Sequence, residues 1–154
     1  MIIPVAFREV EAIADWFEKE FPCRQSYADE KELAEQIELE LAKWLPLRFR
    51  DWIVRKGRQN FVSLFGWTLH TDMELQNQKT SDAVPVEIKL TKEGSEYGTL
   101  HAIGQVIYYA TKERPALALV VDQGRASDQR TEIERKLQNE LWWMLNVKLA
   151  FRKP

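Results

Sequence analysis

The sequence predicts one α/β domain, a mixed central β-sheet with helices on both faces. Two alternating runs, residues 71–76 and 84–90, flank the polar, turn-rich segment 77–82, which is the pattern of an antiparallel hairpin. The second run leads through helical spacing into the continuous apolar run 116–121. Strand, helix and strand in that order form a crossover, which makes the two strands parallel neighbours. An apolar run without alternation suits a strand buried on both faces.

The elements follow in order. Phe7, Val10, Ile13, Ala14 and Phe17 recur at helical spacing and the pattern ends before Pro22, so residues 7–20 form an amphipathic helix. This helix belongs to an N-terminal extension of about residues 1–28, ahead of a core of about 29–154. A second helix over 29–45 turns Leu33, Ile37, Leu41 and Trp44 inward and is stopped by Pro46. Residues 61–69 are rich in aromatic and β-branched side chains and read as the first strand of the sheet, with Gly66 marking a bulge or bend. After the hairpin, a helix over 99–112 packs Leu100, Ile103, Ile107 and Ala110, with His101, Gln105 and Tyr109 on another face. Ser127 or Asp128 caps a last helix running through Ile133, Leu137 and Leu141, and residues 147–151 close the sheet as an edge strand.

Composition narrows the function classes. A chain of 154 residues, 45% hydrophobic, can bury one sizeable core. The six tryptophans are assigned mostly to core and rim, with stacking open to one or two. No apolar run reaches about 18 residues and no signal-peptide pattern is present, so neither a membrane span nor secretion is expected. Cys23 alone permits no internal disulfide, and the expected location is the cytoplasm. His70 and His101 lack zinc-ligand spacing.

The formal net charge of −2 does not announce a nucleic-acid binder, but its distribution is uneven. Asp29, Glu30, Glu32, Glu35, Glu38 and Glu40 face Lys31 alone over residues 29–40. Arg48, Arg50, Arg55, Lys56 and Arg58 follow, interleaved with Phe49 and Trp52. Such a basic and aromatic stretch can hold phosphates, though a solvated face reads the same way.

The chemistry concentrates in the hairpin. Alternation sends Val84, Val86, Ile88 and Leu90 to one face and Glu87 and Lys89 to the other, while Asp72, Glu74 and Gln76 share a face of the preceding strand. If the register sets Asp72 near Glu87, two carboxylates converge beside an ammonium. Hard oxygen ligands suit Mg²⁺ or Mn²⁺, which can polarise a phosphodiester and activate water, while the lysine orients that water or meets the charge on the phosphate. The bland alternative is a solvated strand face with weak cross-strand ion pairs.

Asp72, then Glu87-Ile88-Lys89 on an apolar strand, then a helix bearing Gln105 and Tyr109, resembles the PD-(D/E)xK nuclease superfamily over roughly residues 35–122. Thr71 stands where that motif has proline, and the Gln-x-x-x-Tyr spacing matches its recombination-type members. The resemblance implies a restriction endonuclease-like fold and a Mg²⁺- or Mn²⁺-dependent DNA endonuclease. It assigns the metal to Asp72, Glu87 and the Ile88 backbone carbonyl, catalysis to these with Lys89 and Gln105, and a further glutamate to the preceding helix. Glu35 and Glu38 are the candidates, with Glu38 favoured because Ala34 and Leu41 beside it are apolar. Arg48, Arg50, Arg55, Lys56, Arg58 and Tyr109 are assigned to nucleic acid. A homodimer or partner subunit is expected if both strands are cut. The alternatives are a non-catalytic nuclease-fold module of a defence or mobile-element system, binding nucleic acid or protein, and an unrelated structural protein.

Overall fold

The computed structural model describes residues 6–92, 97–124 and 130–154. Two helices, α1 (Phe7–Lys19) and α2 (Glu30–Arg48), precede strand β1 (Trp52–Lys56). A short hairpin of β2 (Val62–Leu64) and β3 (Trp67–Leu69) leads to β4 (Met73–Asn77) and β5 (Ala83–Thr91). Helix α3 (Tyr97–Ala110), β6 (Ala116–Asp122), α4 (Glu132–Glu140), a π-helical turn (Leu141–Leu145) and β7 (Val147–Arg152) complete the chain. The main sheet has the order β1-β4-β5-β6-β7, antiparallel from β1 to β5 and parallel from β5 to β7. It is the mixed sheet that the sequence predicts.

Alternation decides which helix covers which face. Met73, Leu75, Val84, Val86, Ile88, Leu117 and Leu119 are buried in one core with Val10, Ile13 and Phe17 of α1 and Leu33, Ile37 and Leu41 of α2. Ala116, Ala118, Val147 and Leu149 are buried in a second, with Val106, Tyr109 and Ala110 of α3 and Leu141 of the π-turn. Every residue from Ala116 to Val121 is buried, as a strand covered on both sides requires. Asp29 caps α2, its carboxylate accepting from Glu32 N at 2.8 Å.

Several sequence expectations are corrected. Residues 61–69 are not a strand of the main sheet; they form a separate hairpin that turns at Phe65 and Gly66, with φ of 52° and 78°. Positive φ at both central residues is what a tight two-residue turn requires. The first strand of the main sheet is instead Trp52–Lys56, inside the basic stretch. Trp52 points into the core while Arg55 and Lys56 are exposed, the charge that keeps an open edge from pairing with other chains. Pro46 does not stop α2, which continues to Arg48; the missing N–H removes one bond in the last turn, and Phe49 N closes the end on Leu45 O at 2.7 Å.

Helix α3 is rotated from its expected orientation. Leu100 is 61% exposed, whereas Ala102, Val106, Tyr109 and Ala110 face the sheet. The last helix is capped by Thr131 in a capping box with Glu134; Ser127 and Asp128 lie outside the described residues. Ile133 and Leu137 are exposed, and Leu141 and Trp142 of the π-turn make the packing contact instead. Among the described residues no helix is long and apolar enough to cross a membrane.

Candidate active site

The register of β4 on β5 builds the site. Met73 pairs with Val86 as the last rung of the ladder, and Asp72 N donates to the same Val86 O at 3.1 Å, which holds Asp72 at the end of the strand, near Glu87. There β4 ends while β5 continues to Thr91, so the edge of β5 facing β4 loses its ladder partner. Side chains replace it. Ile88 N donates to Asp72 Oδ2 at 2.7 Å, and Leu90 N donates to Glu30 Oε2 at 3.1 Å. Unpaired amides thus draw two carboxylates to one strand edge. By the two-residue period, the Ile88 carbonyl faces this side as well.

Glu87 lies behind them, 4% exposed. The Tyr109 hydroxyl lies 2.6 Å from Glu87 Oε2 and 2.7 Å from the His70 carbonyl, its one proton shared between these two acceptors. Gln105, one helical turn before Tyr109 on α3, lies near the same hydroxyl. Burial first, and the neighbouring Asp72 charge second, push the Glu87 carboxyl from 4.5 up to about 8. Asp72 is exposed at the mouth of the site, but burial of its inner side raises its carboxyl too, against the Ile88 hydrogen bond. The Glu87 and Asp72 carboxyls lie close enough to shift each other's titration. Lys89 Nζ stands 3.4 Å from Glu30 Oε2.

Two glycines permit this packing. A Cβ on Gly57 would lie 1.7 Å from Thr71 O and 2.8 Å from the carbonyl carbon of Asp72, so the chain crosses the Asp72 backbone only because residue 57 has no side chain. Arg58 N to Thr71 Oγ1 at 2.7 Å and Thr71 N to Arg58 O at 3.1 Å fasten the crossing. A Cβ on Gly98 would meet Thr91 Cγ2 at 2.8 Å and Lys89 Cε at 3.9 Å, so α3 starts close against the catalytic lysine candidate.

Asp72, Glu87, Ile88, Lys89, Gln105 and Tyr109 are therefore gathered at one end of the sheet. Glu38 is not: it lies about 12 Å further along α2 than Glu30, by the rise of an α-helix. Glu35 is exposed and pairs with Lys31. The helix glutamate at the site is Glu30, in the first turn, where the helix dipole favours an anion; that position was the available sequence signal. Tyr109 has no accessible surface and supports Glu87 from within, so its assignment as a nucleic-acid contact is corrected.

The basic stretch divides in space. Antiparallel pairing sets Lys56 beside Met73 and Trp52 beside Asn77, so Arg55 and Lys56 stand at the site end. Arg48 and Arg50 lie before Trp52, at the opposite end. Arg58 is ion-paired with Glu74 and Glu113 and stacks 4.5 Å over Phe61. Burial would lower its guanidinium pKa, but the bonds to Glu113 and Glu74 outweigh this and raise it.

No family model matches the sequence, and no curated protein matches it significantly. Among solved structures, the chain is similar to Pyrococcus furiosus SfsA, determined in complex with Ca²⁺, at 12% identity and a TM-score of 0.45. The alignment covers 80% of this chain and 57% of that one, so this chain spans little more than half the length of the structure it matches.

Proposed function

We propose that the protein is a metal-dependent nuclease that hydrolyses phosphodiester bonds of DNA, using Mg²⁺ or Mn²⁺ held by Asp72 and Glu87. The observation that carries this reading is the hold of Asp72 on the edge of β5, through Asp72 N to Val86 O and Ile88 N to Asp72 Oδ2, which brings its carboxylate close to Glu87 with Lys89 two residues along the same strand. Among the described residues no group of three or more His, Cys, Asp or Glu is gathered for a metal. A pair of carboxylates with a backbone carbonyl at Ile88 still fits Mg²⁺, which uses one or two carboxylates and keeps several waters. When bound, the cation would polarise the phosphodiester and lower the pKa of a coordinated water.

The chain's own groups do the rest. Lys89 presents three N–H donors at the mouth, where they orient water or meet charge developing on the phosphate. Tyr109 fixes Glu87 from behind, with Gln105 near its hydroxyl, and Glu30 holds the lysine in place. Arg55 and Lys56 offer exposed cations at the same end of the sheet for flanking phosphates. Cutting both strands of a duplex calls for two such sites, supplied by a second copy or a partner subunit.

The test is cleavage of supercoiled plasmid, linear duplex, single strand, four-way junction and RNA with Mg²⁺, Mn²⁺ or chelator. Metal-dependent cutting that Asp72→Ala and Lys89→Ala each reduce by about a thousandfold or more is expected. Silence of the folded protein across the panel would refute the reading. One observation favours a non-catalytic module: Asp72 and Glu30 already have structural work in capping β5, and Lys89 is tied to Glu30. In that case Asp72→Asn would lower the melting temperature and change no activity.

A further inference from the structure

Beside the candidate active site runs a groove of about 260 Å³ between the β2–β3 hairpin and α3. Trp67 and Leu69 form one wall, and His101, Gly104, Gln105 and Tyr108 line the other. The Trp67 side chain is left largely in water, 71% exposed, at the end of a hairpin whose tip residue Phe65 is 87% exposed. Such exposure of aromatic surface gives nothing to the core of this fold. At Gly104 a Cβ would meet no atom within 4 Å, which leaves that part of the groove clear of side chains.

The groove is continuous with the site. Gln105 lines it and stands one turn of α3 before Tyr109, whose hydroxyl holds Glu87. Leu69 on the opposite wall is followed directly by His70, whose carbonyl takes the same hydroxyl. The two segments that wall the groove are therefore the two that fix the buried carboxylate. An indole beside an amide and an imidazole suits a flat ligand with a π-face and a hydrogen-bonding edge.

We propose that this groove receives one unstacked base of a single-stranded DNA substrate, with Trp67 against its face, Gln105 and His101 at its edge, and the adjoining phosphate toward Asp72 and Glu87. The placement of the phosphate rests on the nuclease reading above; the base groove makes the preferred substrate single-stranded or locally unpaired. Stacking on an aromatic side chain tolerates any base, so the groove confers strand-state preference and little sequence preference.

The test is fluorescence anisotropy of the whole chain in chelator, which prevents cutting, with a labelled oligothymidylate of about ten nucleotides and a duplex of equal length. Trp67→Ala removes the face. Gly104→Leu fills the groove from a helix position where leucine is favoured and a Cβ has open space, so both variants retain the fold. Each variant is expected to bind the single strand about tenfold more weakly, with duplex binding changed less than about twofold. Unchanged single-strand binding in both variants, equal loss for duplex, or no single-strand binding by the unaltered protein would overturn the proposal. Cutting with Mg²⁺ or Mn²⁺ is read separately. Groove-dependent binding without any cutting refutes the nuclease and keeps the groove, whereas cutting that neither variant affects, with binding unchanged, refutes the groove alone.

Discussion

Glu87 is nearly inaccessible, faces Asp72, and keeps its proton up to about pH 8 because burial and a second carboxylate disfavour its charge. An unfolded chain releases that proton near 4.5. Between these values the native state binds more protons than the unfolded one, so stability falls as pH rises through that window. Thermal melts in chelator should therefore drop by several degrees from pH 5 to pH 8, and Glu87→Gln should flatten the dependence. A slope unchanged in the variant would place the titration elsewhere. Arg58→Ala strands the buried Glu74 carboxylate and should cost about 1–3 kcal/mol by denaturant unfolding, with Glu74→Gln restoring part of it. Full retention of stability in Arg58→Ala would show that Glu74 needs no cation. Of the residues around Glu87, Asp72 and Lys89 were legible from alternation. Gly57 was not, because a glycine required by a crossing of two distant segments looks like any other glycine until the segments meet.

At the scale of elements, the β4–β5 hairpin was legible because two alternating runs and a polar turn leave few registers that bury Val84, Val86 and Ile88 together. Strand β1 was hidden. Its Arg55 and Lys56 alternate poorly with apolar neighbours, as an open edge favours, and the same charges read in sequence as a binding patch. The rotation of α3 was hidden too, since hydrophobicity ranks Leu100 above Tyr109, whereas the hydroxyl of Tyr109 finds acceptors in the buried Glu87 carboxyl and the His70 carbonyl and can be enclosed. Helix α4 buries none of its residues, so its capping box carries much of its stability. Thr131→Ala should remove about 0.5–2 kcal/mol of local helix stability, seen as lost helical circular dichroism below the main transition. A variant that loses no helix signal before the main transition would mean that packing, not the cap, holds α4.

Across the whole molecule, a net charge of −2 conceals a separation of the basic residues. Charge reversal at Arg55 and Lys56 should weaken DNA binding and lower its salt slope by about two, whereas reversal at Arg48 and Arg50, at the far end of the sheet, should leave the slope unchanged. Equal effects from both pairs would place the DNA path along the whole edge. The mixed sheet itself was legible from one hairpin and one crossover, but the place of Glu30 required the three-dimensional return of α2 to the end of β5, over sixty residues of sequence. The end of β4 short of the end of β5 has a consequence for observing the site without turnover. The amides of Ile88 and Leu90 are sealed by carboxylates that belong to other elements, and not by a strand. A cation that draws Asp72 and Glu30 away should speed hydrogen exchange at those two amides while slowing it in the surrounding core. Binding would then appear as a local loss of protection at two positions inside a stabilised protein.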